Sequence, residues 1–62
     1  MKLFEYMNRD KMLQLDDTQQ RFVAKMIVKE VKKAAAEHDI TEEEAYYWMS
    51  KGMYGGDREL NF

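Results

Sequence analysis

The side chains that could support catalysis are few in this 62-residue chain. His38 is the single histidine, Ser50 is the single serine, and cysteine is absent. General acid–base and nucleophilic catalysis both need a reactive group held beside a partner group, and this small inventory does not supply such a pair. We therefore predict that the chain is not an enzyme and that it acts on no small-molecule substrate.

Three consecutive carboxylates, Glu42 to Glu44, are the most concentrated group of potential metal ligands. Consecutive residues of a helix point in different directions, so these carboxylates do not converge on one ion. They follow Thr41, and the helix dipole favours negative charge at the start of a helix. We interpret the three glutamates as helix-start residues and predict no metal site and no cofactor.

Aromatic side chains follow the glutamates and indicate protein recognition. Positions 45, 48, 49 and 52 form a stripe at helical spacing, which predicts contact with the protein core. Tyr46 and Tyr47 project to the two sides of that stripe, so they cannot both be buried. Tyrosine, tryptophan and methionine are favoured at protein interfaces because they combine a large contact area with a polar or adaptable group. The predicted partner-binding residues are Glu42, Glu43, Tyr46, Tyr47 and Tyr54.

A second candidate surface is a cationic stripe within about 120° of the circumference of the middle helix. It consists of Arg21, Lys25, Lys29, Lys32 and Lys33. Such a stripe could contact several phosphates, so nucleic-acid binding is the alternative function. Against it, the stripe lies opposite an apolar face, where soluble helices place their charges, and the net charge of −2 gives no general attraction to nucleic acid. Nucleic acid is therefore the less favoured partner.

The composition predicts an all-α fold for the elements that position these residues. The chain has no proline, and its three glycines all lie at or after Gly52. Ala, Glu, Lys, Gln and Met are abundant, so helix-forming residues dominate. The apolar pattern from Leu3 to Leu15 predicts a short N-terminal helix, interrupted near Asn8.

Two main helices follow, each marked by capping signals. The first spans about 17–38, and either Asp16 with Gln19 or Asp17 with Gln20 can form its capping box. The second spans about 42–51, with Thr41 as its N-cap and Glu44 completing the Thr-x-x-Glu pattern. Gly52 then supplies the left-handed residue that commonly ends a helix.

The long helix carries an apolar arc about 140° wide, with Val23 and Val28 at its two edges, and this arc needs a broad covering partner. At roughly 30 Å, this helix is longer than one short N-terminal helix could cover. The chain has no cysteine and no metal-ligand cluster to stabilise a domain of this size, so a homodimer that pairs the long helices antiparallel is predicted. The predicted dimer or core residues are Phe22, Val23, Met26, Ile27, Val31, Ala34, Trp48 and Met49.

The segment from Ala34 to Gly52 resembles a helix-turn-helix unit. The positions that carry the resemblance are Ala35, Asp39, Ile40, Thr41, Ala45 and Trp48, with Asp39 standing where that superfamily usually has glycine. The resemblance implies that Glu42, Glu43, Tyr46 and Tyr47 would face DNA. None of these four is a cation or an amide, and the glutamates would repel phosphates, so DNA recognition through this helix is disfavoured.

We predict a single helical domain over residues 1–54 and a flexible C-terminal tail over 55–62. The apolar runs are too short for a membrane span or a signal peptide, which predicts a cytoplasmic protein. The predicted function is that of a small non-catalytic regulatory or adaptor protein that binds an unknown protein partner. Such small, self-contained chains are also typical of phage and other mobile elements. Self-assembly in a purely structural role is a third hypothesis.

Overall fold

The computed structural model of the chain describes residues 1–61 and confirms the all-α class. Its four helices are α1 (Leu3–Tyr6), α2 (Arg9–Met12), α3 (Asp17–His38) and α4 (Glu42–Ser50). Within the described residues, the β structure is limited to one isolated antiparallel bridge between Lys2 and Glu59. α3 has the predicted bounds, and α4 ends one residue before the predicted position.

A reciprocal capping box fixes the start of α3. The backbone N–H of Gln19 donates to the Asp16 carboxylate at 2.8 Å, and the Asp16 N–H donates to the Gln19 side-chain oxygen at 3.3 Å. The alternative pair does not form, because the Gln20 amide instead donates to the Leu15 carbonyl at 2.8 Å. Two otherwise unpaired N–H groups at the helix start thereby gain partners.

The α3–α4 corner, residues 35–45, turns the chain from α3 into α4 within a few positions. Asp39 adopts the left-handed conformation with φ of 53°, and the N–H groups of Asp39 and Ile40 both donate to the Ala35 carbonyl. Aspartate is among the few residues besides glycine that tolerate this conformation. Thr41 then caps α4, its hydroxyl accepting from the Glu44 N–H at 3.1 Å and donating to the Glu44 carboxylate at 3.2 Å.

The end of α4 follows the pattern predicted from Gly52. Gly52 has φ of 88°, its N–H donates to the Met49 carbonyl, and the Met53 N–H donates to the Trp48 carbonyl. This pair of bonds is a Schellman motif, which satisfies the last carbonyls of a helix. The nine residues of α4 are therefore capped at both ends.

The predicted short N-terminal helix is two single turns, α1 and α2. The chain breaks at Met7 and Asn8, and the Asn8 side chain accepts from the Asp10 N–H at 2.9 Å to start the second turn. Asparagine favours such local bonds over a helix interior, which explains the interruption.

The terminal junction, formed by residues 1–4 and 56–60, differs from the predicted flexible tail over 55–62. Backbone N–H groups of Leu3, Phe4 and Leu60 donate to the carbonyls of Arg58, Gly56 and Met1 at 2.8, 2.8 and 2.9 Å. Leu60 is only 6% exposed and belongs to the core. Part of the predicted tail therefore packs as an element of the domain, because it supplies a large apolar side chain and backbone partners to the N-terminal residues. Residue 62 lies outside the described residues.

The buried core lies between α3, α4, α1 and the terminal junction. It consists of Leu3, Tyr6, Val23, Ile27, Val31, Ala34, Ala35, Ala45, Met49 and Leu60. Val23, Ile27, Val31, Ala34 and Met49 are predicted by the apolar stripes, and the half-buried Met26 packs against this core. α1 and α4 both contact α3 within one chain. The apolar arc of α3 thus finds much of its cover without a second copy.

Two predicted dimer or core residues, Phe22 and Trp48, are not buried in the single chain. Phe22 is 48% exposed and Trp48 is 39% exposed. Phe22 lies about 100° around α3 from the fully buried Val23, which places it outside the covered arc. In α4, the small Ala45 and the flexible Met49 fill the contact with α3, so the larger Trp48 lies at its edge.

Candidate protein-binding surface

The packing of α4 determines which of its side chains face away from the protein. Ala45 and Met49 are fully buried, and α4 packs on α3 through this side. At about 100° per residue, Glu43 and Tyr47 lie on the opposite side of the helix, with Tyr46 and Trp48 at its two flanks. The cap at Thr41 and the Schellman motif stabilise the two ends of the helix that carries these side chains.

Three adjacent aromatic residues are exposed on this helix. Tyr47 is the most exposed at 54%, and its ring makes an edge contact with the Trp48 ring at a centroid distance of 5.1 Å. The Lys51 ammonium lies 5.5 Å from the centre of the Tyr47 ring, within range of a cation–π interaction. These contacts limit the freedom of the rings, so less conformational entropy is lost when a partner binds.

Tyr46 is anchored to the N-terminal segment. Its hydroxyl donates to the Met7 carbonyl at 3.3 Å, while much of the ring stays exposed. This bond joins α4 to the residue that follows α1. Tyr46 therefore contributes both to the attachment of α4 and to its outer surface.

Glu42 and Glu43 add negative charge beside the aromatic rings. Both side chains are exposed, and neither takes part in an ion pair among residues 1–61. Glu44 instead bonds to the Thr41 hydroxyl. The α4 surface is defined here by its acidic and aromatic members: Glu42, Glu43, Tyr46, Tyr47 and Trp48.

Tyr54, the fifth predicted partner-binding residue, contacts a different part of the molecule. Its ring stacks on His38 at the end of α3, with centroids 3.9 Å apart. The two rings line a cleft of about 410 Å³, together with Glu30, Lys33, Ala34, Glu37, Gly55 and Arg58. Tyr54 is therefore not grouped with the α4 surface, because the turn after α4 directs it to α3. His38 packs against an aromatic ring at this position.

The cationic stripe follows the outer side of α3, and all five of its side chains are exposed. None of them takes part in an ion pair within the described part of the chain, where Glu30 pairs with Arg58 at 2.7 Å. Apolar side chains border the stripe on both edges. One shallow groove is lined by Ala24 and Val28 with lysine stems, and the other by Phe22 and Met26 with Lys25 and Lys29.

Two members of these surfaces differ from the sequence prediction in being exposed. Helical spacing predicts Trp48 in the core, because it shares a stripe with Ala45 and Met49. Val28 belongs to the predicted apolar arc of α3, yet it is 52% exposed. The signal that could have identified Trp48 is size: the small Ala45 at the centre of the α4 stripe allows close approach to α3 and leaves the bulky Trp48 at the edge.

Comparisons with protein-family models, curated protein sequences and solved structures found no match to this chain. Within residues 1–61, no three acidic or histidine side chains group in a way that could hold a metal ion. None of the described helices has the length and apolar character needed to cross a membrane.

Proposed function

We propose that this chain is a small non-catalytic regulatory or adaptor protein that binds another protein through the α4 surface. The exposure of three adjacent aromatic residues on a doubly capped helix is the observation that carries this proposal. Aromatic side chains are enriched at the energetic centres of protein interfaces, and Glu42 and Glu43 add a charge that favours a basic partner. We also propose a cytoplasmic location, on the basis of the short apolar runs.

Affinity capture from cell extract, with the bound proteins identified by mass spectrometry, tests the α4 surface. We expect Tyr47→Ala to lose the captured partner, because Tyr47 is the most exposed ring of this surface. Tyr54→Asn is the matched control, since it removes an aromatic ring elsewhere and asparagine tolerates the φ of 54° at this position. If both variants recover the same proteins at the parent yield, the α4 surface is not the binding site.

Nucleic-acid binding through the cationic stripe is the second candidate function. It is supported by five exposed cations on one helix, none of them in an ion pair within residues 1–61. Fluorescence anisotropy with labelled duplex DNA at low and moderate salt tests it. Salt-sensitive binding that Lys25→Glu and Lys29→Glu abolish would favour this function over protein recognition. The antiparallel pairing of long helices stays a prediction.

A further inference from the structure

The outer side of α3 has the composition of a docking surface. Exposed Val28 and Phe22 lie along the two edges of the cationic stripe, next to the aliphatic stems of Lys25 and Lys29. Phosphate groups would use the charges and make no use of the apolar edges. A partner that offers both carboxylates and apolar rings would use the charges and the grooves together.

The α4 surface of a second copy supplies those groups. Glu42 and Glu43 can pair with lysines of the stripe, and the Tyr47 and Trp48 rings can enter the grooves that border it. Pairing two stripes face to face would instead bring ten like charges together. Charge complementarity therefore favours contact between unlike surfaces of two copies.

The two surfaces point away from each other within one chain. α3 and α4 pack through Val31, Ala34, Ala45 and Met49, and each helix directs its charged face away from this shared core. A copy that donates its α4 surface to one neighbour therefore keeps its cationic stripe available to another. Contacts between unlike surfaces extend into rings or open chains of copies.

We propose that the chain self-associates head to tail, with the α4 surface of one copy bound to the cationic stripe of the next. This inference rests on the proposed function, because it names a second copy as a partner of the α4 surface. The molecule is only 34 × 18 × 17 Å, so each contact is small, and small contacts are usually weak and reversible. Association should weaken as salt screens the exposed charges.

Sedimentation velocity of the full chain and two blocked variants tests the arrangement. Lys25→Glu with Lys29→Glu blocks the stripe, and Glu42→Lys with Glu43→Lys blocks the α4 surface. We expect the parent to exceed 7.5 kDa increasingly with concentration, while each blocked variant stays at the mass of one chain. An equimolar mixture of the two variants holds one intact pair of surfaces, and the two reversed surfaces also carry opposite charges. We therefore expect the mixture to exceed the mass of one chain although each variant alone does not.

Two controls separate specific contact from general charge and from misfolding. Arg9→Glu with Lys11→Glu changes the net charge as the blocked stripe does, but on exposed residues of α2. We expect this variant to associate like the parent. Tyr47→Ala removes apolar contact without changing charge, and we expect it to stay monomeric. Far-UV circular dichroism must show parent-like helicity for every variant before its mass is compared.

Several results would overturn the proposal. A parent that stays monomeric at all concentrations would do so, as would blocked variants that associate like the parent through another face. A stripe variant that loses DNA binding but keeps self-association would assign the stripe to nucleic acid. If the parent is monomeric while Tyr47→Ala still loses a captured cellular protein, head-to-tail association fails and the proposed function stands.

Discussion

The α3–α4 corner and the terminal junction are held by different kinds of contact. At the corner, each bond joins residues three to five positions apart, as in Thr41 with Glu44 and Ile40 with Ala35. At the junction, the Phe4 N–H donates to Gly56 and the Leu60 N–H donates to Met1, so these bonds join residues more than about 50 positions apart in the sequence. The corner is specified by a short stretch of sequence, whereas the junction depends on the whole fold being in place.

Gly56→Ala is the substitution with the largest expected effect, and it acts on the junction. A Cβ at Gly56 would overlap the Met49 carbonyl oxygen, and backbone atoms cannot rotate aside as a side chain can. We expect the free energy of unfolding to fall by about 3 kcal/mol. Urea unfolding followed by far-UV circular dichroism measures this change.

Gly55→Ala is the matched control for that substitution. Gly55 has φ of 93°, and no residue other than its chain neighbours lies within 4 Å of the point that a Cβ would occupy there, so only backbone strain of about 1 kcal/mol is expected. Equal losses at the two glycines would show that the close approach of Gly56 to α4 contributes no stability of its own.

Leu60→Ala tests whether the junction contributes to the core. Leu60 is buried against the N-terminal segment, and we expect its truncation to lower the free energy of unfolding by about 2 kcal/mol. Leu13→Ala makes the same chemical change at a position that is 60% exposed. We expect it to lower the free energy of unfolding by about 0.5 kcal/mol or less. Chemical denaturation of both variants measures the difference, and similar losses would argue against a packed Leu60.

Thr41→Ala acts on the corner and should have a smaller effect. It removes the oxygen that accepts from the Glu44 N–H, which we expect to cost about 1 kcal/mol. Thr41→Ser keeps the cap and should restore most of the lost stability in thermal unfolding. Thr18→Ala, at an exposed position within α3, controls for the change in side chain. A serine variant as unstable as the alanine variant would contradict the capping role.

Asp39→Gly should have the smallest effect and the opposite sign. Glycine adopts the left-handed conformation of Asp39 more readily, and the change removes a negative charge at the C-terminal end of α3. We expect a gain of about 0.5 kcal/mol in chemical denaturation. Asp39→Asn removes only the charge, so comparing the two variants separates the electrostatic contribution from the backbone contribution. A loss of stability in both would show that the Asp39 carboxylate has a favourable role.

The predictable part of this fold is the part with local signals. Asp16, Thr41 and Gly52 mark helix ends through bonds to residues a few positions away, and the bounds of α3 and α4 follow from them. The terminal junction was not predictable in the same way. Leu60 is surrounded in sequence by polar residues, and no local pattern indicates that it packs against the N-terminal segment. Which apolar residues are buried depends on such non-local packing, as the exposed Phe22 illustrates.

The candidate surface was predictable only as far as local helical spacing determines it. Helical periodicity shows that Tyr46 and Tyr47 cannot both be buried, and both are exposed. Periodicity does not show where the turn after α4 directs Tyr54, which stacks on His38. It also does not show which edge of a stripe is covered, so the exposed position of Trp48 required the tertiary contact between α4 and α3.

The terminal junction also has a consequence for the order of folding during synthesis. α3 and α4 lie close in sequence, so their corner can form as soon as both helices have left the ribosome. Leu3 and Phe4 are synthesised well before their backbone partners at positions 56 and 58. The apolar side chains of the N-terminal segment therefore stay exposed until these partners have been synthesised. Closing this long loop should be the late step of folding.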